Sequence, residues 1–280
     1  MIEALTDCPA PAKLNLFLHV VGRREDGYHL LQTAFRMLDW GDRLSFHPRS
    51  DGRIRRANDV PGVPEREDLV VRAATALQQA TGAWLGVDIH VSKVLPMGGG
   101  LGGGSSDAAT TLLALNRLWQ TGLDRQALQA LALPLGADVP FFVFGQTAFA
   151  EGIGEQFMPL SLPSCWYVVL APGVHVSTPE IFGAKELTRN TKPIRMADFA
   201  ISATHNDLEC VAQARYPQIA DAVEWLGQFG PARMTGSGAC IFSAFDSEQA
   251  ARDVVRQCPG KWQAWAAESL DVHPMHGWVG

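Results

Sequence analysis

Pro96-Met97-Gly98-Gly99-Gly100-Leu101-Gly102-Gly103-Gly104-Ser105-Ser106-Asp107 places six glycines within seven residues and then runs straight into a helical pattern. Each glycine forfeits roughly 0.5–1 kcal/mol relative to alanine when its backbone is fixed, so an ordered loop of this composition needs something that approaches the main chain closely. A flexible linker would continue in Gly and Ser. Here Ala108, Leu112, Leu115 and Trp119 follow at i, i+4, i+7 and i+11, which predicts a helix from about Ser105 to Trp119 with Ser at its N-cap and Asp107 in its first turn. A bare loop that feeds a helix N-terminus suits a phosphate: main-chain N–H groups point at the anion, no Cβ blocks it, and the helix end carries roughly half a positive charge.

Two familiar phosphate loops fit less well. A Walker A loop needs Lys and then Ser or Thr after its last glycine, whereas Gly104 and Ser105 follow Gly103. The G-x-G-x-x-G pattern does occur at Gly98, Gly100 and Gly103, which keeps a dinucleotide-dependent oxidoreductase in view. That motif should follow a strand directly and find an acid at the end of the next strand; here Ser92 to Pro96 intervene and Asp124 opens a helix.

Upstream of the loop, Gly86 to Val91 reads as a strand, preceded by a helix that starts at Asp68, carries Leu69, Val70, Ala73, Ala76 and Leu77 on one stripe, and stops at Gly82. Residues 12–21 alternate, with Leu14, Leu16, Leu18 and Val20 on one face and Lys13, Asn15, Phe17 and His19 on the other, so Lys13 and Asn15 project from the same side of a strand. Asp26-Gly27 turns the chain into a second apolar stretch, Tyr28 to Leu38, and residues 43–47 and 53–57 predict further short strands. Downstream come a short helix over 124–132, the turn Gly136-Ala137-Asp138-Val139-Pro140, and a hairpin in which 146–151 and 155–160 flank Gly152-Ile153-Gly154. Pro159 to Pro163 marks a boundary near residue 160, dividing the chain into 1–160 and 161–280. The second part predicts a strand at 166–170, helices at 178–185 and 204–229, strands at 232–235 and 240–245, a helix at 247–257 and a last strand at 262–268. Strands and helices mixed without a regular βαβ beat predict an α+β fold, with mixed or antiparallel sheets.

Composition excludes several classes. Hydrophobic residues at 47% and charged residues at 19% are the balance of a folded globular chain. A net charge of −6 opposes binding to nucleic acid, and the one tight basic cluster, Arg53, Arg55 and Arg56, sits beside Asp51 and Asp59 as a solvated edge would. Five scattered cysteines, without a C-x-x-C pair, suggest neither a disulfide framework nor a zinc site and point to the reducing cytoplasm. The segment Met1 to Asp7 has acids where a signal peptide needs bases, and no run of about 18 apolar residues occurs, so neither export nor a membrane span is expected.

The glycine segment from Pro96 to Ser106 resembles the central P-x-x-x-G-L-G-S/G-S-S motif of the GHMP kinases, with one glycine more than the commonest form. Pro11-Ala12-Lys13-Leu14-Asn15-Leu16 is similar to that superfamily's N-terminal motif and Thr235-Gly236-Ser237-Gly238-Ala239-Cys240 to its C-terminal one. Asp26-Gly27-Tyr28-His29, Leu135 to Phe142 and Ala148 to Glu155 narrow the resemblance to the branch whose alcohol substrate, a methylerythritol phosphorylated at its 2-hydroxyl, carries a cytidine diphosphate. The resemblance implies a two-domain kinase with its active site between the domains, and ATP with Mg²⁺ as cofactors. It implies a small-molecule substrate, no nucleic-acid or membrane partner, and a monomer or weak homodimer. It assigns Lys13 and Asp138 as catalytic residues, Asp138 taking the proton of the attacking hydroxyl. The segment Pro96, Met97, Gly98, Gly99, Gly100, Leu101, Gly102, Gly103, Gly104, Ser105 and Ser106 would hold the nucleotide, and Asn15, Tyr28, His29, Thr178 and Phe182 the cytidine end. It leaves the metal ligands undefined, with Ser106 and Asp107 as candidates. Asp68-Leu69-Val70 stands where the family has Asn-Leu-Ile/Val near the adenine. Taken one by one, Asp138 also reads as a turn or cap residue, Lys13 as a solvated strand lysine, and Tyr28, His29 and Phe182 as packing or turn residues. A kinase for a mevalonate-like or homoserine-like alcohol, or a nucleotide-binding module without catalysis, are the rival functions.

Overall fold

A computed structural model of the protein describes residues 3–279. Two long antiparallel strands, β1 (Leu5–Arg23) and β2 (His29–Arg49), form its spine. Alternation along β1 predicts one buried face, yet residues 10–20 are buried throughout. The strand runs through three apolar clusters in turn: Cys8 and Ala10 join the first, Ala12, Leu14, Leu16 and Phe17 the second, Leu18 and Val20 the third. The separate strands expected at 28–38 and 43–47 are one strand, because Gly41 lets β2 cross Pro11 without a break; a Cβ there would lie 2.1 Å from the Ala10 carbonyl oxygen.

The next elements are β3 (Ile54–Arg56), helix α1 (Leu69–Thr81), β4 (Gly86–Ser92), α2 (Gly103–Leu118), α3 (Arg125–Ala132), α4 (Val139–Phe144) and the hairpin β5 (Ala148–Glu151) to β6 (Gln156–Pro159). Then follow β7 (Trp166–Ala171), α5 (Thr178–Gly183), α6 (Asp207–Arg215), α7 (Pro217–Gly227), β8 (Arg233–Met234), β9 (Ile241–Phe245), α8 (Glu248–Arg256) and β10 (Gln263–Leu270). The sheet runs β3-β4-β2-β10-β7-β9-β8, with β1 and β5 also on β2. Among the described strand pairs only β3 and β4 are parallel. The last strand thus seats the C-terminal elements against the middle of β2, through Ser269–Leu38 and Leu270–Met37. This is the α+β arrangement the pattern predicts.

Local signals set α1: Asp68 accepts the Val70 amide at 3.0 Å, and Gly82 ends the helix at φ 69°. Elsewhere the packing moves the boundaries. Helix α2 begins two residues before the expected Ser105, with Gly102 as its N-cap and no side-chain cap, so Ser105 and Ser106 lie in its first turn and Asp107 beyond it. The backbone of Gly103 packs against Asp42 and Leu95, each 3.4 Å from where its Cβ would be. The helix expected over 204–229 is two helices, because Pro217 has no N–H to donate and holds Tyr216 extended at φ −127°.

Past β10 the chain returns to α3 and α4. Arg125 donates to the carbonyls of Val143, His276 and Val279, each at 2.7 Å, and His273 accepts the Met275 amide on Nδ1 at 3.0 Å. Burial first, then His276 and Arg125, push the His273 imidazole from its ordinary 6.5 down to about 3. The unfolded chain therefore binds more protons between those values, so this group's contribution to stability is complete above about pH 6.5 and is lost as pH falls toward 3. Thermal melts of the protein should weaken over that window, and His273→Asn, which keeps an acceptor for the Met275 amide without titrating, should flatten the dependence.

Candidate active site

The glycine segment is anchored at Gly99 and Leu101, which are buried, while Gly98 and Gly104 are exposed. Its backbone lies directly on the turn between β8 and β9: the Cys240 amide donates to the Gly99 carbonyl at 3.0 Å, and a Cβ on Gly100 would stand 2.4 Å from the Thr235 carbonyl oxygen. Gly100 also has φ 77°, a conformation that L side chains rarely adopt. On its other side the loop meets β1. The Lys13 amide donates to the Leu101 carbonyl at 2.9 Å, and the Lys13 side chain passes within 3.1 Å of where a Cβ of Gly102 would be. Three segments far apart in sequence thus share one contact, and the absent side chains permit it.

Lys13 and Asn15 do face the same way. The Lys13 ammonium, almost fully buried, lies 2.5 Å from Asn15 Oδ1 and 3.1 Å from Asp138 Oδ2. The Asn15 amide is oriented in turn: its Nδ2 donates to Thr33 Oγ1 at 2.9 Å, and its backbone N–H donates to Thr235 Oγ1 at 2.8 Å. Asp138 occupies the N-cap position of α4, but its side chain makes no capping bond and is one-third exposed. A carboxylate with no structural bond of its own, held against a buried ammonium, is available to a ligand. The amide oxygen and the carboxylate give this buried side chain the partners that a polar group removed from water requires.

Two cavities meet at the loop. One, of 380 Å³, is walled by Val60, Val63, Leu69, Val91 and Leu95 and by the whole glycine segment. The other, of 470 Å³, holds Lys13, Asn15, Asp138, His175, Thr178 and Phe182. Gly98, Gly100 and Ser105 line both. A ligand that fills the first and reacts with one in the second must cross the loop and the start of α2, with Lys13 and Asp138 on the far side.

The first cavity contains charges that the sequence gives no reason to group. Lys93 bridges the carboxylates of Asp42 and Asp107, at 2.7 Å from the latter. Asp42, fully buried, also accepts the amides of Val94 at 2.5 Å and Leu95 at 2.9 Å, which fixes the chain just before the loop. Burial lifts the Asp107 carboxyl to about 7; Lys93 opposes the rise and the Asp42 charge adds to it. Asp68 lines this cavity as well, but its carboxylate is engaged by the Val70 amide and by Arg56 at 2.6 Å. Asp42 and Lys93 carry no periodic or motif signal, and the side chain of Arg56, expected with Arg53 and Arg55 at a solvated edge, is instead 5% exposed because it pairs with Asp68, so only the fold could reveal this grouping.

Phe182 lines the second cavity; the His29 ring, outside the cavity wall, lies 5.0 Å from it at 32°. Thr178 Oγ1 is 2.6 Å from Ser237 Oγ, a residue of the C-terminal glycine turn. Tyr28 is likewise outside the cavity wall and is 61% exposed. Arg189 bonds to His29, a contact that sequence reasoning missed. Of the two candidate metal ligands, Ser106 Oγ and Asp107 Oδ1 are both buried without a hydrogen-bond partner, while Ser105 is the serine in the cavity walls. Among the described residues no group of three or more His, Cys, Asp or Glu is placed to bind a metal, and no helix is long and apolar enough to cross a membrane.

The pattern of the GHMP kinases N terminal domain matches residues 68–146, and that of the GHMP kinases C terminal domain matches residues 166–264. The chain belongs to the GHMP kinases, phosphotransferases that act on an alcohol. Within them it falls in the family of 4-diphosphocytidyl-2-C-methyl-D-erythritol kinases. The protein of that name from Aromatoleum aromaticum is 65% identical over 279 residues, covering 100% of this chain and 98% of its own length. The one from an Azoarcus species is 67% identical over 98% of this chain and 97% of its own. A crystal structure of 4-(cytidine 5'-diphospho)-2C-methyl-D-erythritol kinase, 36% identical, superimposes with a TM-score of 0.82 over 95% of this chain and 99% of that one. A homoserine kinase from Cytophaga hutchinsonii, 16% identical with a TM-score of 0.73 over 96% of this chain and 95% of its own, shares the fold.

Proposed function

We propose that the protein transfers the γ-phosphoryl group of ATP to the 2-hydroxyl of 4-diphosphocytidyl-2-C-methyl-D-erythritol, in the cytoplasm, as a step of non-mevalonate isoprenoid precursor synthesis. The observation that carries the reading is the Lys13–Asp138 pair, 3.1 Å apart, where two cavities share one glycine loop. The apolar wall of the first cavity, from Val60 and Val63 to Leu95, suits the adenosine, and the loop amides with the start of α2 suit the phosphates. The second cavity suits the cytidyl alcohol.

Phosphoryl transfer passes through a loose transition state, so positioning and charge compensation provide most of the catalysis. Asp138 accepts the hydroxyl proton as the bond to phosphorus forms. Lys13, held between Asn15 and Asp138, offsets charge on the transferred oxygens. Mg²⁺ would neutralise part of the triphosphate charge; oxygen donors that suit it stand at the loop–helix junction, in Ser105 on the cavity wall and in the unpartnered Ser106 Oγ and Asp107 Oδ1.

Phe182, in the wall of the second cavity with the His29 ring tilted beside it, offers an aromatic face to the cytosine. Such a stack is worth roughly 1–3 kcal/mol, so Phe182→Ala should raise KM for the cytidyl substrate about tenfold or more and leave KM for ATP unchanged. Tyr28, on the adjoining turn, would complete the clamp by moving onto the base. The reading as a whole is tested by coupled ADP release with the cytidyl alcohol, mevalonate and homoserine offered in parallel. Turnover restricted to the first supports it; turnover of either of the others alone would transfer the assignment to another branch of the family.

A further inference from the structure

Arg189 belongs to no motif and to no cavity wall, yet it makes the densest set of side-chain bonds around the second cavity. Its Nε donates to His29 Nε2 at 3.1 Å, its Nη1 to the Leu187 carbonyl at 3.0 Å, and its Nη2 to the carbonyls of Phe182 at 2.9 Å and Ala184 at 2.6 Å. The last contacts answer a local need. Helix α5 is only six residues long and ends in Ala184 in an extended conformation, without the left-handed glycine that would otherwise satisfy its final carbonyls. A guanidinium can bond several acceptors in fixed directions, which an ammonium cannot.

The bond to His29 joins this helix end to the other half of the molecule. His29 is the first residue of β2, and Phe182 lies on α5. Their rings lie 5.0 Å apart, and one side chain bonds both supports. Since Nε2 accepts from Arg189, the neutral ring carries its proton on Nδ1. We infer that Arg189 is the positioning residue of the base-binding end: it fixes the tautomer and orientation of His29 and the placement of Phe182, and so sets affinity for the cytidyl alcohol without touching the reacting atoms. This inference rests on the function proposed above. The charges that face His29 are Arg189, from the segment after α5, and Arg23, at the end of β1; burial first, then these two cations, hold the imidazole below its ordinary range.

The test pairs steady-state kinetics with an NMR titration of His29 in the full-length protein. Arg189→Gln should raise KM for the cytidyl alcohol roughly tenfold while kcat and KM for ATP stay within about twofold. In the same variant the His29 midpoint should move up toward the ordinary value of about 6.5. Arg189→Lys keeps a cation but loses the fork, so it should raise the same KM with a much smaller movement of the midpoint, and it serves in place of the glutamine variant should that one not fold. An unchanged KM for the cytidyl alcohol in both variants overturns the inference, as does a His29 midpoint that does not move in Arg189→Gln. Parallel losses in KM for ATP and in melting temperature overturn it too, by showing a general structural role. If the unaltered protein fails to phosphorylate the cytidyl alcohol, it is the proposed function that falls, and the His29 titration still decides whether Arg189 controls the ring.

Discussion

Asp138→Asn is expected to lower kcat by roughly 10²–10⁴-fold, the usual contribution of a positioned general base, with little change in KM for ATP. The substitution is close to isosteric. Asn keeps an oxygen for the Lys13 ammonium 3.1 Å away, and because the Asp138 side chain does not cap α4, the helix loses no bond. What disappears is the proton acceptor. Single-turnover and steady-state rates, measured beside a thermal melt, separate this from misfolding: the melt should be near that of the unaltered protein while the chemical step slows. Turnover within about threefold of normal would remove Asp138 from the proton transfer and leave Lys13 and the loop to act by charge alone.

The second large effect is expected at Gly100. Alanine there is penalised twice, once for the left-handed φ of 77° and once because its Cβ would lie 2.4 Å from the Thr235 carbonyl oxygen. The first term is roughly 1–2 kcal/mol. The second cannot be relieved by turning a side chain, since the obstacle is backbone, and the same Thr235 fixes the Asn15 amide through its hydroxyl. The loop or the turn must shift, and a shift of about 1 Å in a positioning element costs on the order of 10²-fold in rate. Gly100→Ala should therefore lose about 10²-fold or more in kcat/KM for ATP and melt at a lower temperature. Gly62→Ala is the control for the backbone term. That residue has φ 79° but nothing within 4 Å of the added Cβ, so it should show the conformational cost alone. If the two variants behave alike, the contact between loop and turn does not hold the donor in place.

The predictions differ in how far they could be foreseen. The proximity of Lys13 and Asn15 on one side of β1 follows from a period of two, and the 2.5 Å bond between them agrees. The burial of both faces of β1 does not follow, because it depends on three clusters contributed by distant segments. Helix α1 announces both of its ends through Asp68 and Gly82, residues whose capping chemistry is local. Helix α2 conceals its start. Its first two residues, Gly103 and Gly104, have no cap signature and low helix propensity, so propensity alone would leave them as loop. The pairs Lys93 with Asp42 and Arg189 with His29 join single residues across long separations, and nothing in spacing or composition marks them.

From its residues alone, then, this protein determined a costly glycine cradle at the head of a helix, an α+β order of elements, and a family resemblance strong enough to name a lysine and a carboxylate. Those features are legible because backbone entropy, side-chain period and capping act over a few residues. Bringing Lys13 to within 3.1 Å of Asp138, seating Gly100 on Thr235 and tying Phe182 to His29 through Arg189 were decided only by the tertiary structure. Each joins groups far apart along the chain, whose meeting is set by how β2 gathers the strands on either side of it.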